Sequence, residues 1–132
     1  TIIRKERRMD INSLFSKIES TVLSSNSAVV NQKNGDITVV VNQSNAFFNV
    51  KLYTDLDEQL INPAEIDKLL HQLNNSQGLG FLYYEKPTLS LKMCMLVDCK
   101  PSETTLREVI SSMIASLNVV KITCERTCCN ND

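Results

Sequence analysis

One histidine and five cysteines are the residues of this 132-residue chain whose types could carry covalent or acid–base chemistry. His71 could serve as a general base and Cys94 as the nucleophile it activates, provided the two meet within hydrogen-bond reach. Nothing beside Cys94 resembles the strained turn or helix start that lowers a thiol pKa. It stands instead in an alternating run, where a cysteine that simply packs is the simpler reading. Cys124, Cys128 and Cys129 raise the question of zinc. A structural zinc site presents paired Cys or Cys/His knuckles, whereas here one such spacing occurs with no second and no histidine near it. No metal is expected. Including Cys99, the cysteine count is odd and the spacing uneven, unlike a disulfide framework, and free thiols in a reducing compartment follow.

Other chemistries lack their residues. Glycine occurs only at 35, 78 and 80, so neither a phosphate-binding loop nor a dinucleotide fingerprint can be written, and no cofactor is expected. Asp55, Asp57 and Glu58 read as a solvated connection after a strand. The Phe47-Phe48 and Tyr83-Tyr84 pairs have none of the basic interleaving that stacks bases.

Hydrophobic residues make up 42% and charged residues 22%, an ordinary globular balance that suits one domain. No apolar run approaches the ~20 residues of a membrane helix, and the first residues lack the apolar core of a secretory signal. A cytoplasmic protein without a membrane span is expected. Arg4, Lys5, Arg7 and Arg8 against Glu6 put +3 on residues 1–8, which leaves −4 on the rest of a chain whose net charge is −1. Residues 1–8 read as a basic extension or a remnant of expression, and the mildly acidic body disfavours nucleic acid.

These side chains must be positioned by a definite run of elements. Ile11, Leu14, Phe15, Ile18 and Val22 predict an amphipathic helix over 10–23, capped by Asp10 or Asn12 and ended by the Ser/Asn run 24–27. Residues 28–32 and 37–41 flank Lys33-Asn34-Gly35-Asp36, a hairpin signal. A third strand follows over 46–53. Asn62, Pro63 and Glu65 announce a helix through a cap, a first-turn proline and a capping box; Ile66, Leu69, Leu70 and Leu73 form its stripe. A strand over 79–85 turns at Lys86-Pro87 into the alternating strand Leu89, Leu91, Met93, Met95, Val97. Pro101 and Ser102 then open a last helix with the stripe Leu106, Val109, Ile110, Met113, Ile114, Leu117, extending towards Cys124. Residues 126–132 read as a frayed tail, which leaves 9–125 as the domain. The order is helix, three strands, helix, two strands, helix: an α+β single domain, an antiparallel sheet with helices packed against it.

Phe47-Phe48, Tyr83-Tyr84 and Val39-Val40-Val41 put apolar residues on both faces of that sheet. Three helices can cover one face well and the other incompletely, which favours an oligomer or a bound peptide, against the alternative that both faces are buried within a monomer.

The element order, length and acidic body resemble the class I chaperones of bacterial type III secretion. The resemblance spans residues 9–122 and rests on the helix from Ile11 to Val22, the hairpin and third strand over 28–53, and above all Pro87-Thr88-Leu89-Ser90-Leu91-Lys92-Met93 leading to the last helix. It implies a cytoplasmic, non-catalytic homodimer that holds the N-terminal segment of a secreted effector in extended form. By resemblance, Ile11, Phe15, Ile18, Val29 and Met93 are the candidate effector contacts, and Leu70, Leu73, Phe81 and Tyr83 the candidate dimer contacts. Two other classes compete: a regulatory or scaffold dimer of roadblock-like topology, and a thiol-dependent enzyme using Cys94 and His71.

Overall fold

The computed structural model describes residues 11–18, 21–33, 35–44, 47–57, 61–76, 80–85, 90–98 and 102–128. Along the chain run α1 (Ile11–Ser16), β1 (Thr21–Ser24), β2 (Ser27–Val30), β3 (Ile37–Gln43), β4 (Phe47–Asp55), α2 (Pro63–Ser76), β5 (Phe81–Glu85), β6 (Ser90–Asp98) and α3 (Glu103–Thr127). This is the expected α+β domain, with a sixth strand. The sheet order is β1-β2-β3-β4-β6-β5, antiparallel at every pairing.

The sixth strand comes out of the expected first helix. The amide N–H groups of Lys17 and Ile18 donate to the carbonyls of Leu14 and Phe15, three residues back, and these tight turns end α1 at Ser16. Residues 21–24 then pair with β2. Val22, expected on the helix stripe, is instead exposed. The Ser/Asn run is the turn of this hairpin: Ser24 Oγ donates to Asn26 Oδ1 at 2.9 Å, and Asn26 O accepts from Val41 N at 2.8 Å. A helical apolar period over 11–22 was therefore real only as far as Ile18, which still packs on the core.

The second hairpin keeps Gly35 at φ +113°, as the turn requires of glycine, but its connection is longer than a tight turn: β2 ends at Val30 and β3 begins at Ile37. Asn34 lies outside the described residues. At α2, Asn62 Oδ1 accepts from Ala64 N at 3.2 Å, so the cap is made as expected. The capping box is replaced: the Asn62 N–H, which Glu65 was to receive, donates to the carbonyl of Cys128 at 2.6 Å. That bond fastens the end of α3 to the start of α2. It also corrects the expected frayed tail, since Arg126 and Thr127 are helical and Cys128 is buried; residues 129–132 lie outside the described residues.

Ser102 caps α3 by accepting from Thr105 N at 3.2 Å. Leu106, Ile110, Met113, Ile114, Leu117 and Val120 are all buried, each worth about 1.5–3 kcal/mol relative to exposure. They meet Phe48, Val50 and Leu52 of β4 and Leu91 and Met93 of β6 in one core, to which α1 adds Leu14 and Phe15 and α2 adds Ile66 and Leu70. All three helices thus cover the same side of the sheet.

Candidate functional site

Among the described residues, the opposite side of the sheet carries no helix. Strand alternation sends Phe48 inward and Phe47 outward, Val39 and Val41 inward and Val40 outward, Leu82 inward and both Phe81 and Tyr83 outward. Three of the exposed large apolar residues lie on this outer face: Phe47 at 47%, Phe81 at 61% and Leu96 at 63% exposure. Registers order them. Phe81 pairs with Cys94, Asn49 with Leu96 and Phe47 with Asp98, so Phe47, Leu96 and Phe81 are diagonal neighbours across β4, β6 and β5. Phe81, Tyr83, Cys94, Met95 and Leu96 line an open hollow of about 610 Å³ there.

The polar groups beside this strip are mostly committed. Lys92 is ion-paired with Glu85, and its ammonium lies 5.8 Å from the Tyr53 ring centre and 6.0 Å from that of Tyr83. Its pKa is raised, first by the hydrogen bond to Glu85, against a smaller opposing effect of burial. Phe81 and Tyr83 stack on each other at 6.2 Å. The Cys94 thiol donates to Asn49 Oδ1 at 3.3 Å. The side chain of Lys51, in register with both Cys94 and Val40, has no hydrogen-bond or ion-pair partner among the described residues.

The two residues of the thiol–imidazole reading are not brought together. His71 is exposed on α2, and its ring contacts the Asn75 amide at 3.5 Å, a weak approach. It lines a separate groove between α2 and β5, with Asp67, Asn74 and Tyr84 among its neighbours. Among the described residues no cluster of three or more His, Cys, Asp or Glu side chains could hold a metal ion. Cys124 and Cys128 are buried at the end of α3. Burial first, then the neighbouring Cys128 and Glu125, pushes the Cys124 thiol up to about 12. Asp55 and Asp57 are exposed as expected, and Glu58 lies outside the described residues.

Of the candidate effector contacts, Phe15 and Met93 are core residues, 1% and 0% exposed, and cannot meet a partner without opening the fold. Ile11 and Ile18 are half-buried on the α1 side, while Val29 is half-buried on the outer face at the far end of the sheet from Phe81. These five residues do not share a surface. Of the candidate dimer contacts, Leu70 is core and Leu73 half-buried, whereas Phe81 and Tyr83 reach the outer face. Leu96 escaped sequence reasoning because it occupies the outward positions of a strand read for its inward ones; an apolar residue at an outward position was the available signal. Lys51 gave none, since a lysine on an outward face is unremarkable until its neighbours are known to be paired.

Asn74 also escaped. Its side chain on α2 donates from Nδ2 to the Leu82 carbonyl at 2.7 Å and accepts from the Leu82 N–H at 2.8 Å. An amide side chain thereby takes the place of a neighbouring strand at the second residue of β5, the outermost strand on this side. Compared with models of known families, with curated proteins and with solved structures, the chain matches none.

Proposed function

We propose that this protein is a non-catalytic client-holding chaperone of the kind its element order resembles, which binds an extended segment of a secreted effector in the bacterial cytoplasm. The observation that carries the reading is the bare sheet face with Phe47, Leu96 and Phe81 exposed in a row. A face of that kind suits a partner that brings alternate apolar side chains. Among the described residues no helix is long and apolar enough to cross a membrane.

The Asn74 amide occupies the β5 edge at Leu82, so strand addition there would first have to displace it. Docking across the face requires no such displacement. The homodimer that the resemblance implies would use the corner between α2 and β5, where Leu73 is half-buried and Tyr83 reaches the surface.

The test is co-expression of the chain with the N-terminal segment of the protein encoded beside it, followed by size-exclusion chromatography with light scattering and limited proteolysis. A complex in which that segment is protease-protected yet gains no regular structure supports the reading. A folded partner captured instead points to the scaffold class, and a monomer that captures nothing removes the reading's support.

A further inference from the structure

The exposed apolar row is not uniform in its surroundings. Strand spacing of ~4.8 Å and a rise of ~3.3 Å per residue put Phe47, Leu96 and Phe81 about 8 Å apart in succession, along a line of roughly 16 Å inclined at about 35° to the strands. An extended chain, whose same-side residues recur every ~6.7 Å, spans that line in about five residues. The inclination is close to the ~30° at which extended chains pack face to face.

Charge distinguishes what such a chain carries. Lys92 is already neutralised by Glu85 and lies against Tyr53 and Tyr83. Asp55 is four residues further along β4, away from the hollow. Lys51 is next to the row, in register with Cys94, which lines the hollow, and its ammonium has no partner among the described residues. Asp98, in register with Phe47, stands at one end of the row, and at the other end, beside Leu96 and Phe81, the uncommitted charge is positive. It is half-buried, which strengthens its attraction for a carboxylate over that of a fully hydrated lysine.

We infer that the occupant of this face is an extended segment of another protein that places a carboxylate next to two or three alternating large apolar side chains, with Lys51 as the cation that selects it. This deepens the client-holding reading and rests on it. A second copy of the chain is the main competitor for the same surface.

Two fluorescein-labelled peptides test the inference. Both carry leucine at three alternate positions; one ends in glutamate and the other in lysine at the next same-side position. Anisotropy titration at low salt is expected to give the acidic peptide about three- to tenfold tighter binding, the range set by exchanging a favourable for an unfavourable exposed pair. The difference shrinks as salt is added. Lys51→Glu is expected to reverse the preference, and Leu96→Asp to abolish binding of both peptides while the far-ultraviolet circular dichroism stays unchanged.

Equal binding of both peptides that is indifferent to Lys51→Glu but lost in Leu96→Asp overturns the carboxylate inference and leaves the client-holding face standing. Binding unaffected by Leu96→Asp, or no binding at millimolar peptide, overturns both. If Leu96→Asp turns a dimer into a monomer, the face belongs to a second copy and the inference falls.

Discussion

Removing the Asn74 side chain is expected to destabilise the protein far more than its place near a helix end suggests. The amide makes two short bonds, 2.7 and 2.8 Å, to the carbonyl and the N–H of Leu82, both part-buried. In Asn74→Ala the two backbone groups lose their partner together. Each ordinary hydrogen bond is worth about 1 kcal/mol net, and an unsatisfied buried group costs about 1–3 kcal/mol. Partial access of water keeps the sum near the lower end, about 2 kcal/mol, which is roughly a thirtyfold shift in the folding equilibrium. Asn74→Asp separates the two bonds. It retains an acceptor for the Leu82 N–H but points an oxygen at the Leu82 carbonyl, so it should be at least as damaging although its shape is almost unchanged. Urea unfolding followed by circular dichroism measures the loss as a lower midpoint at constant slope. Amide exchange locates it: the Leu82 N–H should lose protection in Asn74→Ala while amides of β4 keep theirs. A midpoint unchanged within about 0.5 kcal/mol, or a Leu82 amide as protected as before, would refute the assignment of Asn74 as a surrogate strand partner.

Three further outcomes are expected. Gly35→Ala should cost about 1–3 kcal/mol in thermal unfolding, because φ +113° strains any side-chain-bearing residue; an added Cβ would also meet Lys121 Nζ at 2.7 Å. The buried Lys121 would have to leave Thr54 Oγ1, to which it donates at 3.2 Å, so part of the loss should disappear in a Lys121→Met background. Iodoacetamide at pH 8 on the native protein should modify Cys94 and spare Cys124 and Cys128, as read by peptide mass mapping. Because the Cys124 thiol is raised from 9.0 to about 12, it stays protonated in the fold while the unfolded chain ionises. The Cys124 contribution to stability should therefore be level below pH 9 and fall between pH 9 and 12 by up to about 1.4 kcal/mol per unit, a contribution that Cys124→Ala removes. Finally, Leu96→Ser should change stability by less than about 0.5 kcal/mol, whereas Met93→Ala, fully buried three residues earlier in β6, should cost about 2–5 kcal/mol.

What could be read from residues alone follows how local the determining physics is. The strand and helix over 90–127 were legible because alternation, a proline break and a serine cap all agree within a short window. β1 was not, because residues 11–18 satisfy a helical period and nothing local marks the turn out of it; pairing with β2 decides the matter. Phe47 and Tyr83 were legible as outward residues, since adjacent aromatics on a strand must point to opposite faces. Leu70, Phe15 and Met93 were wrongly grouped with surface candidates because a helical or alternating stripe says which residues face inward together, not which side remains bare. Asn74 and Asn62 make their decisive bonds to Leu82 and Cys128, and the capping box failed at Asn62 because a residue 66 positions later in sequence took its N–H.

The strand order β4-β6-β5 has a consequence for how the chain is made. Strands β1 to β4 form a meander of neighbours in sequence, which can assemble as it emerges from the ribosome. β5 is synthesised next but has no strand to lie against, since its place is one position removed from β4. Until residues 90–98 arrive and insert between them, the β4 edge stays open along nine residues, with Val50 and Leu52 lacking the cover of α3. The nascent protein is therefore most prone to misassociation in the interval between its fifth and sixth strands. Its last two elements end that interval together, one closing the sheet and the other covering it.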